Sequence, residues 1–264
     1  CVIGVPKTID NDVSYTDITF GFTTALGVIC EAVDRLRTTA FSHDRVQILE
    51  VMGRHCGWLA LEGGLSGGAD IILLPEIPYD INKIVEVIKK RDKEGHKDTV
   101  IVVSEGAKPK DGNVVIKKIV ADSADTIRLG GIGDQLASQL EVLLGGKEVR
   151  ATNIGHVQRG GSPTMADTIL ATRFGVKAVE EIKEIYKSTY KGPIVSYNEA
   201  NDEEGFLSSV RYEGKDSMSV EVYGNEDRIL LVARYDNLGK GASGAAVECL
   251  NIVLGEEKTK TLVI

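Results

Sequence analysis

Residues 45–54, Arg-Val-Gln-Ile-Leu-Glu-Val-Met-Gly-Arg, begin with an apolar-rich run and end in a glycine turn that carries an arginine. A short apolar run closed by such a turn is typical of a strand buried in a parallel sheet. Further runs of this kind alternate with helical segments. The alternation predicts an α/β fold in which a doubly wound parallel sheet is covered by helices on both faces. The predicted strands are 1–5, 45–51, 69–74, 99–103 and 149–156, and the predicted helices are 56–66, 80–94 and 124–144.

The pattern changes towards the end of the chain. A helical spacing over 163–190 is broken by Lys191-Gly192-Pro193. Beyond this break, the strand-like segments GFLSSVRYEG, SMSVEVYG and DRILLVARYDN precede a helix of small residues over 241–254. Alternating segments of this type predict antiparallel strands. We therefore divide the chain into a doubly wound portion, 1–185, and a smaller α+β segment, 186–264.

Composition and charge limit the class of protein. The chain has 264 residues, of which 42% are hydrophobic and 27% charged, and its formal net charge is −8. These are the proportions of a packed globular protein. A mildly acidic chain without long basic runs argues against nucleic acid or an anionic membrane as its partner, and no apolar run approaches the roughly 18 residues of a spanning helix. Because the four cysteines lack zinc or disulfide spacing, we expect a cytoplasmic protein.

Polar residues crowd the carboxyl end of the first predicted strand, where Lys7, Asp10, Asn11 and Asp12 follow one another closely. In an open α/β sheet this edge is where ligands bind. One aspartate there can take the proton from an attacking hydroxyl, a second can orient it or hold Mg²⁺, and a lysine can offset the charge of a transferring phosphoryl group. The alternative is a polar turn that caps a helix beginning near Thr16.

Two other predicted strands end in cationic turns. Met52-Gly53-Arg54 follows the run 45–51, and GHVQRGGSP, which contains His156 and Arg159, follows 149–156. An arginine beside exposed amides in a glycine turn is suited to binding phosphate. Glu105, just past 99–103, adds an acceptor for a sugar hydroxyl. Each of these groups alone also fits an ordinary solvated loop.

Five motifs, in this order and spacing, closely resemble those of the phosphofructokinases over residues 1–180: PKTIDND, VQILEVMGRHCGW, SEGA, LGGIGD and GHVQRGGSP. The resemblance implies transfer of a phosphoryl group to the 1-hydroxyl of fructose 6-phosphate, with Mg²⁺ as cofactor. It implies that Asp10 is the catalytic base and that Asp12 lies beside it and binds the metal. Thr8 would bind the sugar or the transferring phosphate, and Arg54 would stabilise the transferring charge.

The same resemblance divides the sugar site between two subunits. Five residues would hold the sugar from one subunit: Met52, Gly53, Glu105, His156 and Arg159. Arg45 and Arg150 would instead reach across an interface to the 6-phosphate in a neighbour's site. A homo-oligomer is therefore expected.

The phosphoryl donor stays open between ATP and pyrophosphate. Lys7 resembles the pyrophosphate-dependent branch, where a lysine occupies space that ATP-dependent relatives commonly leave to glycine, although some ATP-using relatives also carry lysine. The family's glycine-rich donor loop should precede Cys1, because the glycine pairs 63–64, 67–68 and 130–131 are interpreted as turn geometry. We expect the chain to begin within a domain, to hold the acceptor half of the site and to show no kinase activity by itself.

Residues 180–255 resemble a second family, the N-acetyl-gamma-glutamyl-phosphate reductases, through the segment YDNLGKGASGAAV that begins at Tyr235. In that family the position of Asn237 and the helix after it lie beside a nicotinamide cofactor. The cysteine and histidine of its chemistry belong to segments not found here, and we expect Cys249 to be a buried helical thiol. Two alternatives to a phosphofructokinase-derived fragment follow: a non-catalytic sugar-phosphate-binding or oligomerising module, and a chimera or fragment with a reductase tail.

Overall fold

The computed structural model describes residues 2–119, 127–199, 205–224 and 229–264. Within these ranges the elements, in chain order, are α1 (Phe22–Ser42), β1 (Val46–Val51), α2 (Trp58–Ser66), β2 (Ile71–Leu73), α3 (Ile81–Lys93), β3 (Thr99–Ser104), β4 (Ile116–Ile119), β5 (Ile127–Leu129), α4 (Ile132–Leu143), β6 (Val149–Asn153), α5 (Met165–Thr189), β7 (Val195–Tyr197), β8 (Met218–Gly224), β9 (Ile229–Tyr235) and α6 (Gly244–Leu254). A 3₁₀ turn, Gly155–Arg159, follows β6, and a π-helical turn, Gly239–Ser243, precedes α6.

Four strands form a parallel sheet in the order β2-β3-β1-β6. Every residue of the central strands β1 and β3 is buried. Successive strand side chains point to opposite faces, so Val46 and Ile48 pack in one apolar cluster with α3 and α4, while Leu49 and Val51 pack in another with α1 and α2. Helices thus cover both faces of the sheet, and the predicted doubly wound α/β fold is confirmed.

The helices form where apolar side chains repeat at helical spacing. In α1, the residues Phe22, Ala25, Ile29 and Val33 are buried and recur every three or four positions, which places them on one face. α1 begins at Phe22 and not near Thr16, because the chain before it is held in an irregular loop.

A two-stranded antiparallel ribbon, β4–β5, lies between β3 and α4 in the chain. The sequence predicted a helix over 124–144, and this prediction is correct only from Ile132. Residues 127–129 belong to β5, and 120–126 lie outside the described residues. The ribbon follows the carboxyl end of β3 in the chain, and Glu105 lies at that end. It is therefore close in sequence to a predicted site residue.

The chain separates into two compact units, of which one is Pro6–Leu170 and the other includes Ala171–Ile264. In the second unit β8 pairs antiparallel with β9, as expected, and parallel with β7. Glu221 and Arg234 form a buried ion pair at 3.0 Å between β8 and β9. The assignment of 1–185 and 186–264 as domains remains a prediction.

Three smaller predictions are wrong. Residues 2–6 form no strand and Val2 is 96% exposed, because no neighbouring strand in the described chain supplies a ladder for them. The segment GFLSSVRYEG, 205–214, contains turns and not a strand. Cys249 is exposed, since α6 is apolar on several sides and apolar content alone does not show which side is covered. Among the described helices, none is both long and apolar enough to cross a bilayer.

Candidate active site

A cavity of about 690 Å³ opens at the carboxyl edge of the parallel sheet, beyond the ends of β1, β3 and β6. Much of its wall consists of residues that the sequence predicted: Asp10, Met52, Arg54, Glu105, His156 and Arg159. The remainder consists of residues that the sequence did not single out for function: Lys117, Leu129, Gly130, Asn153 and Gly155. The sheet therefore brings together side chains that are far apart in the chain.

The loop that carries Asp10 is fixed by its own polar side chains. The amide of Asp10 donates to Thr8 Oγ1 at 3.1 Å. Thr19, which is buried, donates its hydroxyl to the Thr8 carbonyl at 2.7 Å, and its amide donates to Asn11 Oδ1 at 2.9 Å. These local bonds explain why the Asp10 backbone needs no regular secondary structure to be held in place.

Asp10 has an unusual electrostatic environment. Burial raises its pKa, and the charge of Asp12 raises it further, while the charges of Arg159 and Lys7 and the hydroxyl of Thr8 act in the opposite direction. A raised pKa makes the carboxylate a stronger base. Asp12 and Lys7 are exposed and do not line the cavity, so they influence Asp10 through charge.

A buried glutamine joins the two cationic turns. Gln158, 1% exposed, accepts a hydrogen bond from the Met52 amide at 3.3 Å and donates to the Gly155 carbonyl at 3.0 Å. Gly53 has a φ of 121°, and a Cβ there would lie 2.6 Å from the Cys56 carbonyl oxygen, so only glycine fits. The turn at Met52-Gly53-Arg54 is thus fixed to the turn that carries His156 and Arg159.

Glu105 is placed by the sheet itself, because its amide donates to the Val51 carbonyl at 2.8 Å. Burial raises its pKa, and the nearby charges of Glu50 and Asp10 add to this, opposed by the Gly53 amide and by Arg159. A carboxyl group in this environment can accept a hydrogen bond from the hydroxyl of a ligand, and in its protonated form it can also donate one.

Glu50, only 2% exposed, supports the wall of the cavity from behind. Its carboxylate accepts hydrogen bonds from the amides of Gly131 at 3.0 Å and Gly133 at 2.8 Å, at the start of α4, and from Asn153 Nδ2 at 2.6 Å. A negative charge is favourable at a helix N-terminus. The apolar pattern of β1 does not indicate this role, although an acidic residue inside an apolar strand is a signal for it.

Arg45 and Arg150 do not reach this cavity. They lie at the opposite edge of the sheet, where both bind Glu148, at 2.5 Å and 2.7 Å respectively. These hydrogen bonds lower the pKa of Glu148. At about 3.3 Å per strand residue, this edge is about 20 Å from the cavity. Their assignment to a neighbour's site remains a prediction.

The two aspartates fit the Mg²⁺ that the resemblance implies. Asp10 Oδ1 is buried and has no hydrogen-bond partner among the described residues. Within those residues no cluster of three or more metal-binding side chains occurs, but proteins commonly bind Mg²⁺ through one or two carboxylates together with substrate phosphates. Asp10 and Asp12 supply carboxylates of that kind.

An open α/β sheet with carboxylates and cations gathered at its carboxyl edge places the chain in the class of α/β proteins that bind ligands at this edge. The model of the family described as "Phosphofructokinase" matches residues 1–182, and the chain belongs to the phosphofructokinase family.

Curated relatives agree with this family. The chain is 57% identical over 217 residues to "ATP-dependent 6-phosphofructokinase 2" of Clostridium perfringens, in a match that covers 81% of the chain and 59% of the relative. It is 52% identical over 178 residues to "Pyrophosphate--fructose 6-phosphate 1-phosphotransferase" of Streptomyces coelicolor, covering 67% of the chain and 52% of the relative. The chain thus spans between half and two thirds of each of these relatives.

A solved structure gives the same result for the fold. The phosphofructokinase of Saccharomyces cerevisiae superposes with a TM-score of 0.57 and 32% identity, over 85% of this chain and 24% of the yeast chain.

Proposed function

We propose that this chain provides the acceptor site of a 6-phosphofructokinase, which transfers a phosphoryl group from pyrophosphate or ATP to the 1-hydroxyl of fructose 6-phosphate. One observation carries the proposal: Asp10, a partly buried carboxylate with a raised pKa, shares a cavity with Arg54, His156 and Arg159. A base and several cations around one space suit an anionic sugar whose hydroxyl must lose a proton.

In this proposal each residue has a distinct task. Asp10 takes the proton from the 1-hydroxyl, and Arg54 stabilises charge on the transferring phosphoryl group. Thr8 orients Asp10, because its hydroxyl oxygen accepts a hydrogen bond from the Asp10 amide. It also binds the sugar or the phosphate. Met52, Gly53 and Glu105 hold the sugar.

Asp12, with the donor phosphates, would hold Mg²⁺, which when bound neutralises charge on those phosphates. Arg45 and Arg150 serve the site of a neighbouring subunit in a cytoplasmic homo-oligomer. This part of the proposal is supported by the position of both arginines, which lie at the sheet edge opposite the cavity of their own chain.

Fructose 6-phosphate should stabilise the folded chain. A ligand that binds only the native state raises the free energy of unfolding by RT ln(1 + [L]/Kd), so at 100 times Kd the gain is about 2.7 kcal/mol. Thermal unfolding with millimolar fructose 6-phosphate, and with fructose as the control, measures this. The site is supported if fructose 6-phosphate raises the melting temperature and if Arg159→Ala removes that increase. An unchanged melting temperature with both sugars contradicts the site. If a chain joined to a donor segment binds fructose 6-phosphate but shows no turnover, a non-catalytic module is favoured.

Lys7 should influence the choice of donor. We expect Lys7→Gly, in the chain joined to the N-terminal segment of the Clostridium relative, to raise kcat/KM for ATP relative to pyrophosphate, because it removes a cation and opens space for a nucleotide. The ratio of the two kcat/KM values, in the variant and in the unsubstituted chain, reports the effect. If the ratio is unchanged, the donor is chosen by residues other than Lys7.

A further inference from the structure

The β4–β5 ribbon contains a β-bulge beside the cavity. Ile116 pairs with Leu129 and Lys118 pairs with Arg128, so Lys117 is the extra residue between two consecutive partners. A bulge turns a side chain away from the direction that regular pleating would give it, and bulges are frequent next to active sites. Lys117 lines the cavity, whereas Lys118 does not.

The path of the Lys117 side chain is set by a glycine. A Cβ at Gly130 would lie 3.4 Å from Lys117 Cδ and 3.9 Å from its Cβ, so the aliphatic part of the lysine runs over the bare backbone of Gly130. Gly130 has a φ of 133°, which also favours glycine, and it precedes Gly131, whose amide Glu50 binds. The stem can pack against this surface while the ammonium group stays in water.

Lys117 is one of several charged side chains that line the cavity. Asp10 and Glu105 supply the carboxylates of the wall, and Arg54, Arg159 and Lys117 supply its strong cations. Within the described part of the chain, Lys117 takes part in no ion pair or side-chain hydrogen bond. An exposed ammonium group at the rim of such a cavity is suited to a phosphate ester.

We propose that Lys117 binds the phosphate of the sugar phosphate, so that the acceptor site has a phosphate ligand from its own chain besides the arginines expected from a neighbour. This inference rests on the proposed function and names a specificity residue for it. The affinity for fructose 6-phosphate should depend on Lys117, whereas the affinity for fructose should not.

The test is calorimetric titration of the full chain with fructose 6-phosphate and with fructose. Wild type is compared with Lys117→Met, Lys117→Arg and the matched control Lys118→Met, which loses the same charge from the next, exposed residue of β4. We expect Lys117→Met to raise the Kd for fructose 6-phosphate about tenfold or more. Lys118→Met should stay within about twofold, since distant surface charges are largely screened. Lys117→Arg should recover most of the affinity.

Two results overturn the assignment of Lys117: equal effects of Lys117→Met and Lys118→Met on the Kd for fructose 6-phosphate, or an equal loss of affinity for fructose and fructose 6-phosphate in Lys117→Met. If wild type binds fructose 6-phosphate and Lys117→Met binds it equally well, the acceptor site stands and Lys117 is excluded from it. If wild type itself does not bind fructose 6-phosphate, the proposed function is wrong and this inference fails with it.

Discussion

Asp10→Asn should lower kcat for phosphorylation of fructose 6-phosphate by about 10²–10⁴-fold in the chain joined to the donor segment of the Clostridium relative, because a positioned general base contributes a factor of this size. KM for the sugar should change much less, since the cations of the cavity are retained. Steady-state rates at saturating donor measure both constants.

The same variant should be more stable than the unsubstituted chain at neutral pH. The pKa of Asp10 is raised above its ordinary value of 3.8, so ionisation of this group opposes folding. That unfavourable contribution is absent below the ordinary value and complete above the raised pKa of the folded chain. The gain from Asp10→Asn should therefore appear as the pH rises through this window and vanish in acid, as urea unfolding at several pH values can show.

Asp17→Asn is the matched control, because Asp17 is an exposed carboxylate in the same loop and uses only its carbonyl oxygen to bind Asn11. Its rate and stability should stay near those of the unsubstituted chain. If Asp10→Asn keeps its rate, or loses activity only because it unfolds, Asp10 is not the base.

Glu50→Ala should lower the free energy of unfolding by about 3 kcal/mol. The substitution leaves the buried amide of Gly133 and the half-buried amide of Gly131 without their acceptor, and a buried group left unsatisfied costs about 1–3 kcal/mol. The exposed side chain of Asn153 also loses its bond to Glu50 but can turn to water. Urea unfolding at pH 7 gives the value, and fructose 6-phosphate binding should weaken as well because Gly130 and Asn153 line the cavity.

Glu141→Ala controls for loss of a glutamate from the same part of the fold. Glu141 is exposed on α4, and alanine is a good helix former, so its effect should be within about 0.5 kcal/mol. Equal stability of Glu50→Ala and Glu141→Ala would show that the start of α4 does not depend on the buried carboxylate.

The central strands and most helices were predictable from the sequence because their signals are local. β1 and β3 are continuous apolar runs, and both are buried throughout. The run 1–5 has the same local character, but its described residues, 2–5, form no strand, because strand formation depends on a partner that the run itself does not encode. β4 and β5 were missed for the same reason, since their pairing joins short segments that mix apolar and basic residues.

The candidate site was predictable where polar residues directly follow apolar strands. Asp10, Arg54, Glu105, His156 and Arg159 were found in this way or by resemblance, and all line the cavity. Lys117 could not be found, because its placement depends on a bulge between two strands. The role of Glu50 was missed because the pattern of a strand does not show which helix N-terminus its side chains contact.

The strand order β2-β3-β1-β6 determines when each edge of β1 can pair during synthesis of the chain. In β6, which pairs with β1, Val149 lies opposite Val46 and is about 100 residues further along the chain. At about 5–20 residues per second, one edge of β1 stays unpaired on the ribosome for about 5–20 s. His156 and Arg159 follow β6, so the cavity closes only at the end of that interval. During that interval the unpaired edge of β1 can pair with another chain, and the ligand site has not yet formed.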